Sequence, residues 1–456
     1  MRCDKMEISN NLLLYGPPGT GKTYNTVNYA VAIIEDRDFE DVKQDPYPLN
    51  LEKYDRYTRM GRIAFMTFHQ SLGYDDFIEG IKPVASDDGE SLLYLPMPGA
   101  FHDFCRRSEF PRSIYADLPE GFSDVSEDAS VWLVCPGGFG PNDVRSSSFS
   151  EGVLDITGPG DGDLLISLIS DDTVDAVGYV RSSDGHRLEV DWKVLGDPFP
   201  RDMLRISDKE VSQIPVRLRY VTVNEVLSLA QSETGEHDKG NCVFIIDEIN
   251  RGNISRIFGE MITLLESSRR KGLPECLEVW LPQMKRKFSI PQNVYVLGTM
   301  NTADKSLAAL DTALRRRFEF VEMMPDPNVL MDRTVSDVNL GKLLKVMNER
   351  IELLYDREHT MGHAYFISVR TMQDLAECFI KKVIPLLQEY FFDDYEKMCW
   401  VMGSYKDPHQ CAFIRVRPKS RFQLMFDLPD VYDIVDDERV FMDPRNYMDI
   451  YLGADV

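Results

Sequence analysis

The stretch Gly16-Pro17-Pro18-Gly19-Thr20-Gly21-Lys22-Thr23 matches the pattern G-x-x-x-x-G-K-[ST]. Its glycines allow backbone N–H groups to turn inward around phosphate oxygens. Lys22 is long enough to reach β- and γ-phosphates, and Thr23 carries a hydroxyl suited to Mg²⁺. Tyr24 follows directly and is grouped with the nucleotide-binding residues. The chemistry such a loop serves is phosphoryl transfer, and that chemistry needs carboxylates. Asp247-Glu248 supply them at the end of the apolar run Cys242 to Ile246. Asp247 would hold the metal through water, and Glu248 would polarise the attacking water as general base. The competing reading, a solvated turn at a strand end, is weakened by the loop that calls for such a partner.

A third stretch, GTMNTADKSLAALDTALRRRF, runs from Gly298 to Phe318. Asn301 would orient the attacking water or touch the γ-phosphate. Arg315, Arg316 and Arg317 follow one helix later. A guanidinium that neutralises charge on a transferring phosphoryl group is often supplied by a neighbouring subunit. For any one of these arginines, Arg317 beside Phe318 included, a surface ion pair is the alternative.

These groups need a scaffold that brings strand ends together. Leu12 to Tyr15 reads as a buried strand, Asn25 to Ile34 as the helix after the loop, and Arg62 to Phe68 as a second strand. Cys242 to Ile246 is β-branched and apolar, as a central parallel strand should be. Val294 to Leu297 would lie beside it. Ile254, Ile257, Phe258, Met261 and Leu265 recur at helical spacing and are core. The fold class is therefore α/β, with ligand chemistry at the carboxyl ends of a parallel sheet.

The motifs GPPGTGKT (16–23), FHQSLGYDDFIEGIKP (68–83), FIIDEINRGNISRIFGE (244–260), MNTADKSLAALDTALRRRF (300–318), MGHAYF (361–366) and IPLLQEYFFDD (384–394) resemble the McrB family. That family comprises AAA+ GTPase motors of McrBC-type modified-cytosine restriction systems. The resemblance covers about three quarters of the chain. It implies an AAA+ P-loop core with a parallel sheet, a small helical lid and, in this chain, an inserted mainly-β domain. It also implies a homo-oligomeric ring, mostly hexameric, with nucleotide between subunits. GTP is preferred to ATP, Mg²⁺ is the metal, and an McrC-like nuclease subunit is the partner. Carried over residue by residue, Lys22 and Thr23 bind phosphate and metal, Asp247 and Glu248 drive hydrolysis, and Asn250 and Asn301 help place the water. Arg251 and Arg316 are candidate trans-acting groups, and Arg317 a candidate cis sensor. Asp304 lies in the family signature and joins the nucleotide-binding set. Lys305 stands where the family has arginine, keeping the charge. His363 is either a nucleotide contact or a satisfied lid histidine.

The 456 residues are too many for one core. The expected division is 1–105, first part of the core; 106–219, the mainly-β insert; 220–325, second part of the core; 326–405, the lid; and 406–456, a strand-rich acidic tail without assignment. In the lid, Val335 to Tyr355 and Thr371 to Phe392 read as helices, with Pro385 kinking or breaking the second. The insert begins with loop-like sequence such as CPGGFGPNDVRSSSFSEG (135–152). It continues with alternating segments that suggest a small barrel or sandwich. Such a domain could read a flipped base or a partner, but it carries 21 acidic against 12 basic residues, which disfavours strong phosphate-driven DNA binding and leaves a protein-contact or spacer role on at least equal footing. Trp192 reads as a core aromatic rather than a base-stacking platform. The family's best-known members carry a DNA-binding domain ahead of the motor. With the loop at Gly16 that domain is expected to be absent, so the insert, a separate subunit or a partner would find DNA through the complex, or the motor would serve another defence complex and never recognise modified cytosine itself.

A net charge of −24 argues against a surface that binds nucleic acid everywhere. Eight scattered cysteines without a C-x-x-C pair, no apolar run of about 18 residues, and no signal-peptide core at the start point to a reduced cytoplasmic protein without a membrane span. Two other functions fit the same motifs: an ATP-using, MoxR-like remodelling chaperone, and a nucleotide-switched scaffold.

Overall fold

The computed structural model describes residues 8–85, 92–109, 118–119, 121–123, 125–126, 128–134, 153–170, 173–204, 206, 208–219, 221–231, 240–303, 312–392, 394–404, 407–426 and 428–452. Asp304, Lys305, Tyr220 and the loop-like 135–152 lie outside them.

Five short strands carry the chemistry: β1 (Asn11–Gly16), β2 (Ile63–Thr67), β3 (Cys242–Asp247), β4 (Val294–Asn301) and β5 (Glu319–Glu322). All pair in parallel, in the order β5-β1-β4-β3-β2. Both faces of the sheet are covered at its centre, which is why β1, β3 and β4 are mostly apolar. Leu12, Leu14, Val243 and Ile245 join a cluster with the helix α1 (Lys22–Ile34) on one face. Leu13, Phe244 and Ile246 point the other way, into a cluster with Phe68, Phe77, Phe101 and Phe258. Alternation at period two assigns each residue to its layer. Gly298 is required in β4 because a Cβ there would come within 2.6 Å of Leu13 Cδ1.

Register then decides the site. Gly16 pairs with Asn301, and Ile246 pairs with Gly298, so the loop, the amide and the acidic pair emerge on neighbouring strand ends. The segment after the acidic pair is not one helix. Ile254–Phe258 is α-helical, Gly259 takes φ 51°, and Gly259–Leu265 continues as a 3₁₀ helix. Ile254, Ile257, Phe258, Met261 and Leu265 are nonetheless all buried.

The insert region forms a six-stranded sheet in the order Val216–Leu218, Val131–Val134, Leu164–Ser170, Thr173–Ser183, Arg187–Pro200, Val153–Asp155. One pair is parallel and the rest antiparallel, and among the described residues the two outer strands, Val216–Leu218 and Val153–Asp155, do not pair to close a barrel. The helix Val223–Gln231 buries Val226, Leu227, Leu229 and Ala230 against it. Trp192 packs with Leu165, Val180, Leu188 and Val190 on the sheet's other face. Arg106, at the way in, and Glu225, at the way out, meet at 3.8 Å while 5% and 1% exposed. That contact brings the two ends of the excursion together.

In the lid, the expected helix from Val335 is shorter. Thr334–Val335 and Val338–Asn339 form a hairpin whose turn residues Ser336 and Asp337 are left-handed. The helix itself is Leu340–Leu354, capped by the Asn339 side chain on the Lys342 N–H. The second helix is interrupted as Pro385 requires. Met372–Cys378 passes into a π-turn at Phe379–Val383, where the Ile384 N–H bonds the Phe379 carbonyl, and Ile384–Phe391 continues with the proline in its first turn. The tail is less strand-rich than its composition suggests. Among its described residues it has one hairpin, Ile414–Val416 with Tyr432–Ile434, and three α-helices. Phe413, Ile414, Phe441, Tyr447 and Ile450 enter the same cluster as Leu344, Met347 and Phe379, so it shares the lid's core. Among the described residues no helix is long and apolar enough to cross a membrane.

Candidate functional site

The loop between β1 and α1 is shaped by three glycines with positive φ: Gly16 at 153°, Gly19 at 74° and Gly21 at 83°. A Cβ on Gly16 would lie 2.2 Å from the Met323 carbonyl oxygen, and Gly21 is the left-handed cap of α1. Only glycine adopts these conformations without strain. Lys22 is 7% exposed, and its ammonium donates to the carbonyls of Gly16 at 2.9 Å and Pro17 at 2.7 Å. Thr20 closes the turn by donating to the Pro17 carbonyl. Thr23 is exposed at the helix start, and Tyr24 stacks on Tyr47 with centroids 3.9 Å apart.

The acidic pair is held by β4. The Thr299 hydroxyl donates to Asp247 Oδ1 at 2.6 Å and accepts the Glu248 N–H at 3.2 Å. Glu248 sits at φ 53°, ψ 46°, a left-handed conformation rare for a non-glycine residue and found where function over-determines the backbone. Its carboxylate takes the Asn301 amide N–H and lies 3.3 Å from the Arg251 guanidinium. Asn250 donates to the Asn301 carbonyl at 3.2 Å. Glu248, Asn250, Arg251 and Asn301 are thus one hydrogen-bonded group. Thr299 escaped the sequence reading. The available signal was a threonine in the run VYVLGTMN, two residues before Asn301 and therefore on the same face.

The lid reaches the loop through backbone. The Gly362 N–H bonds the Pro18 carbonyl at 3.1 Å, and the Ala364 N–H bonds the Gly19 carbonyl at 3.0 Å. A Cβ on Gly362 would stand 1.9 Å from the Gly19 carbonyl, so only glycine allows this approach. His363 accepts the Asp326 N–H at Nδ1, 3.2 Å, which leaves the proton of the neutral ring on Nε2, facing Gly21. Burial holds the imidazole pKa below its ordinary 6.5 against the smaller opposing effect of Asp326. Lid and core also line a half-open cleft of about 460 Å³, whose walls include Pro18, Arg251 and Asn301 together with Tyr355, His359 and Tyr365. His359 is turned by its bond to Asp356, 2.6 Å.

The three arginines part company. Arg315 lies over the Phe320 ring at 5.7 Å, Arg317 pairs with Glu266 at 2.7 Å, and Arg316 is exposed with no ion-pair partner among the described residues. Arg317's own carbonyl bonds Asn11, at the amino end of β1. Six strand residues, about 17 Å, separate that end from the phosphate loop. This placement corrects the expectation of Arg317 as a cis sensor: its side chain is committed to Glu266 at the far end of the sheet.

Among the described residues no cluster of three or more His, Cys, Asp and Glu side chains could hold a metal by itself. Thr23 is exposed at the start of α1 and Asp247 ends β3 with Oδ1 on the Thr299 hydroxyl; a Mg²⁺ that takes most of its ligands from phosphate and water would need few protein oxygens beyond these two.

Comparison with known proteins agrees with this construction. A family model described as the McrB alpha-helical lid domain matches residues 339–399, and one described as an AAA domain of the dynein-related subfamily matches 207–318. The chain is 35% identical over 184 residues to the Type IV methyl-directed restriction enzyme EcoKMcrB subunit of Escherichia coli K12, covering 36% of this chain and 40% of that one. It is 32% identical over 95 residues to the Type II restriction enzyme BsuMI component YdiS of Bacillus subtilis 168, covering 18% of this chain and 27% of that one. The aligned part thus spans less than half the length of either relative. With the five-stranded parallel sheet, the glycine loop and the lid docked upon it, these matches show an AAA domain and a McrB-type lid in this chain and make it similar to proteins of the McrB family.

Proposed function

We propose that the chain is the ring-forming, nucleoside-triphosphate-hydrolysing motor subunit of a McrBC-like restriction complex. The observation that carries this reading is the group at the strand ends: Asp247 fixed by Thr299, and Glu248 fixed by Asn301, beside the loop that holds Lys22. Loop N–H groups and the start of α1 would bind the phosphates. Lys22 would exchange the Gly16 and Pro17 carbonyls for phosphate oxygens. Thr23 and Asp247 would hold Mg²⁺, which when bound offsets phosphate charge. Glu248 would draw a proton from the attacking water while Asn301 and Asn250 keep that carboxylate aimed. His363 would present Nε2–H toward the loop, and Arg316, which is exposed, would serve the site of the next subunit. Asp304 remains a proposed nucleotide contact.

GTP as the favoured substrate, a hexameric ring, an McrC-like nuclease partner, DNA engaged through the complex and a cytoplasmic setting belong to this proposal. They are supported by the motif resemblance and by relatives named as restriction enzymes. The test is turnover of GTP and ATP side by side with Mg²⁺, in wild type and Glu248→Gln. We expect GTP to be cleaved faster and the variant to bind but not cleave. Failure to retain or cleave either triphosphate overturns the reading, and a clear preference for ATP moves it toward a remodelling chaperone.

A further inference from the structure

The amino end of the sheet, opposite the phosphate loop, holds a buried polar cluster that hydrolysis within one chain does not use. Arg270 is fully buried. It donates to Asn11 Oδ1 at 2.6 Å, to the Val294 carbonyl at 3.3 Å and to the Leu265 carbonyl at 3.4 Å. No carboxylate is among these partners. Asn11, 1% exposed, spends its amide donors on the Leu265 carbonyl at 2.6 Å and the Arg317 carbonyl at 2.9 Å. Glu266, the next residue along, takes the Arg317 guanidinium at 2.7 Å and Arg269 at 2.9 Å. Burying a guanidinium without an ionic partner is costly, and burial lowers the Arg270 pKa to about 10. An apolar plug would fill the same space without that cost. What the cluster does achieve is geometric: it ties the arginine turn at both backbone and side chain to β1 and to the segment that descends from Glu248.

We infer that Asn11, Arg270 and Glu266 are positioning residues that hold the turn 315–317 so that Arg316 projects into the nucleotide site of a second copy of this chain. This rests on the proposed function and deepens it. The three side chains divide the work. Arg315 covers Phe320, Arg317 anchors the turn, and Arg316 is left for the neighbour. With the nucleotide site at one end of the sheet and the turn at the other, the contact is head-to-tail, which closes into a ring when the rotation allows. Glu266 lies on the stretch that begins at the acidic pair, so one subunit's own site and the guanidinium it offers are built on the same segment.

The test is complementation in trans with Mg²⁺ and GTP. Asn11→Ala and Glu266→Ala each should lower kcat at least tenfold with little change in KM, and Glu266→Gln should recover part of the loss. Mixing either alanine variant with Glu248→Gln, whose site is dead but whose turn is intact, should restore turnover. At equal ratios about one interface in four is then productive. Mixing either with Arg316→Ala should restore nothing, because neither chain then offers a held guanidinium. The inference is overturned if Glu248→Gln rescues Arg316→Ala but not the alanine variants, or if those variants keep the wild-type kcat. Glu266 is partly exposed, so its variants carry the test should Asn11→Ala fail to fold. Unchanged turnover in Arg316→Ala also sinks the inference while leaving hydrolysis intact. A wild-type chain without turnover removes the proposed function, and the inference with it.

Discussion

Thr299 shows how much a single hydroxyl can organise. It bridges the Asp247 carboxylate and the Glu248 backbone, so it sets both acids at once. Replacing it with valine keeps the volume and the β-branch but removes both bonds. Partners of this kind are worth about 10–100-fold in metal affinity or activity. We expect Thr299→Val to lower kcat within that range while nucleotide binding without metal stays near wild type, as read by steady-state kinetics and fluorescence titration. His363 predicts a pH dependence. Its folded pKa is depressed, so the unfolded or undocked state binds more protons below the ordinary value of 6.5. The stabilisation is complete above 6.5 and is lost as pH falls through that value toward the depressed one. Thermal melts from about pH 7.5 to about 5.5 should show a decline that His363→Gln reduces.

At the scale of elements, the lid is joined to the loop by two backbone bonds that depend on one glycine. Gly362→Val cannot reproduce that approach. Each bond contributes about 0.5–1.5 kcal/mol, so nucleotide affinity should fall roughly tenfold or more. The lid's own core, built from Leu344, Met347, Phe379 and Tyr447, is untouched. A melting temperature lowered as much as the affinity would argue that the glycine serves folding rather than docking. The π-turn before Pro385 makes a related point. A proline inside an apolar periodic run did not end the helix. The chain shifted one residue in its hydrogen bonding and continued.

At the scale of the molecule, the sheet separates the phosphate loop from the arginine turn proposed to serve a neighbour. The phosphate loop and acidic pair lie at the carboxyl ends, and the arginine turn lies at the amino ends. Turnover should therefore depend on assembly. For Glu248→Gln with GTP, mass measurement should show higher oligomers than without nucleotide. Arg316→Ala should keep nucleotide binding but lose about 10³-fold or more in kcat, the scale of a trans-acting guanidinium. Specific activity independent of protein concentration down to the monomer range would refute this.

Much of this was legible in the chain alone, because local chemistry leaves local marks. Positive-φ glycines around Lys22, an apolar run closed by Asp247-Glu248, and the period-two alternation of β1 and β3 each follow from short-range sterics and burial. So do the insert's strands and the irregularity at Pro385, expected as a kink or a break and found as a π-turn that the helix runs through. The residue sets that needed two distant segments were not legible. Thr299 acts on β3 from β4, Gly362 fits only against Gly19, and Arg317 was expected near its own phosphate but is held by Glu266 and Asn11 at the opposite end of the sheet. Spacing along a chain shows which face a residue takes; only strand order and register decide which end of which neighbour it meets.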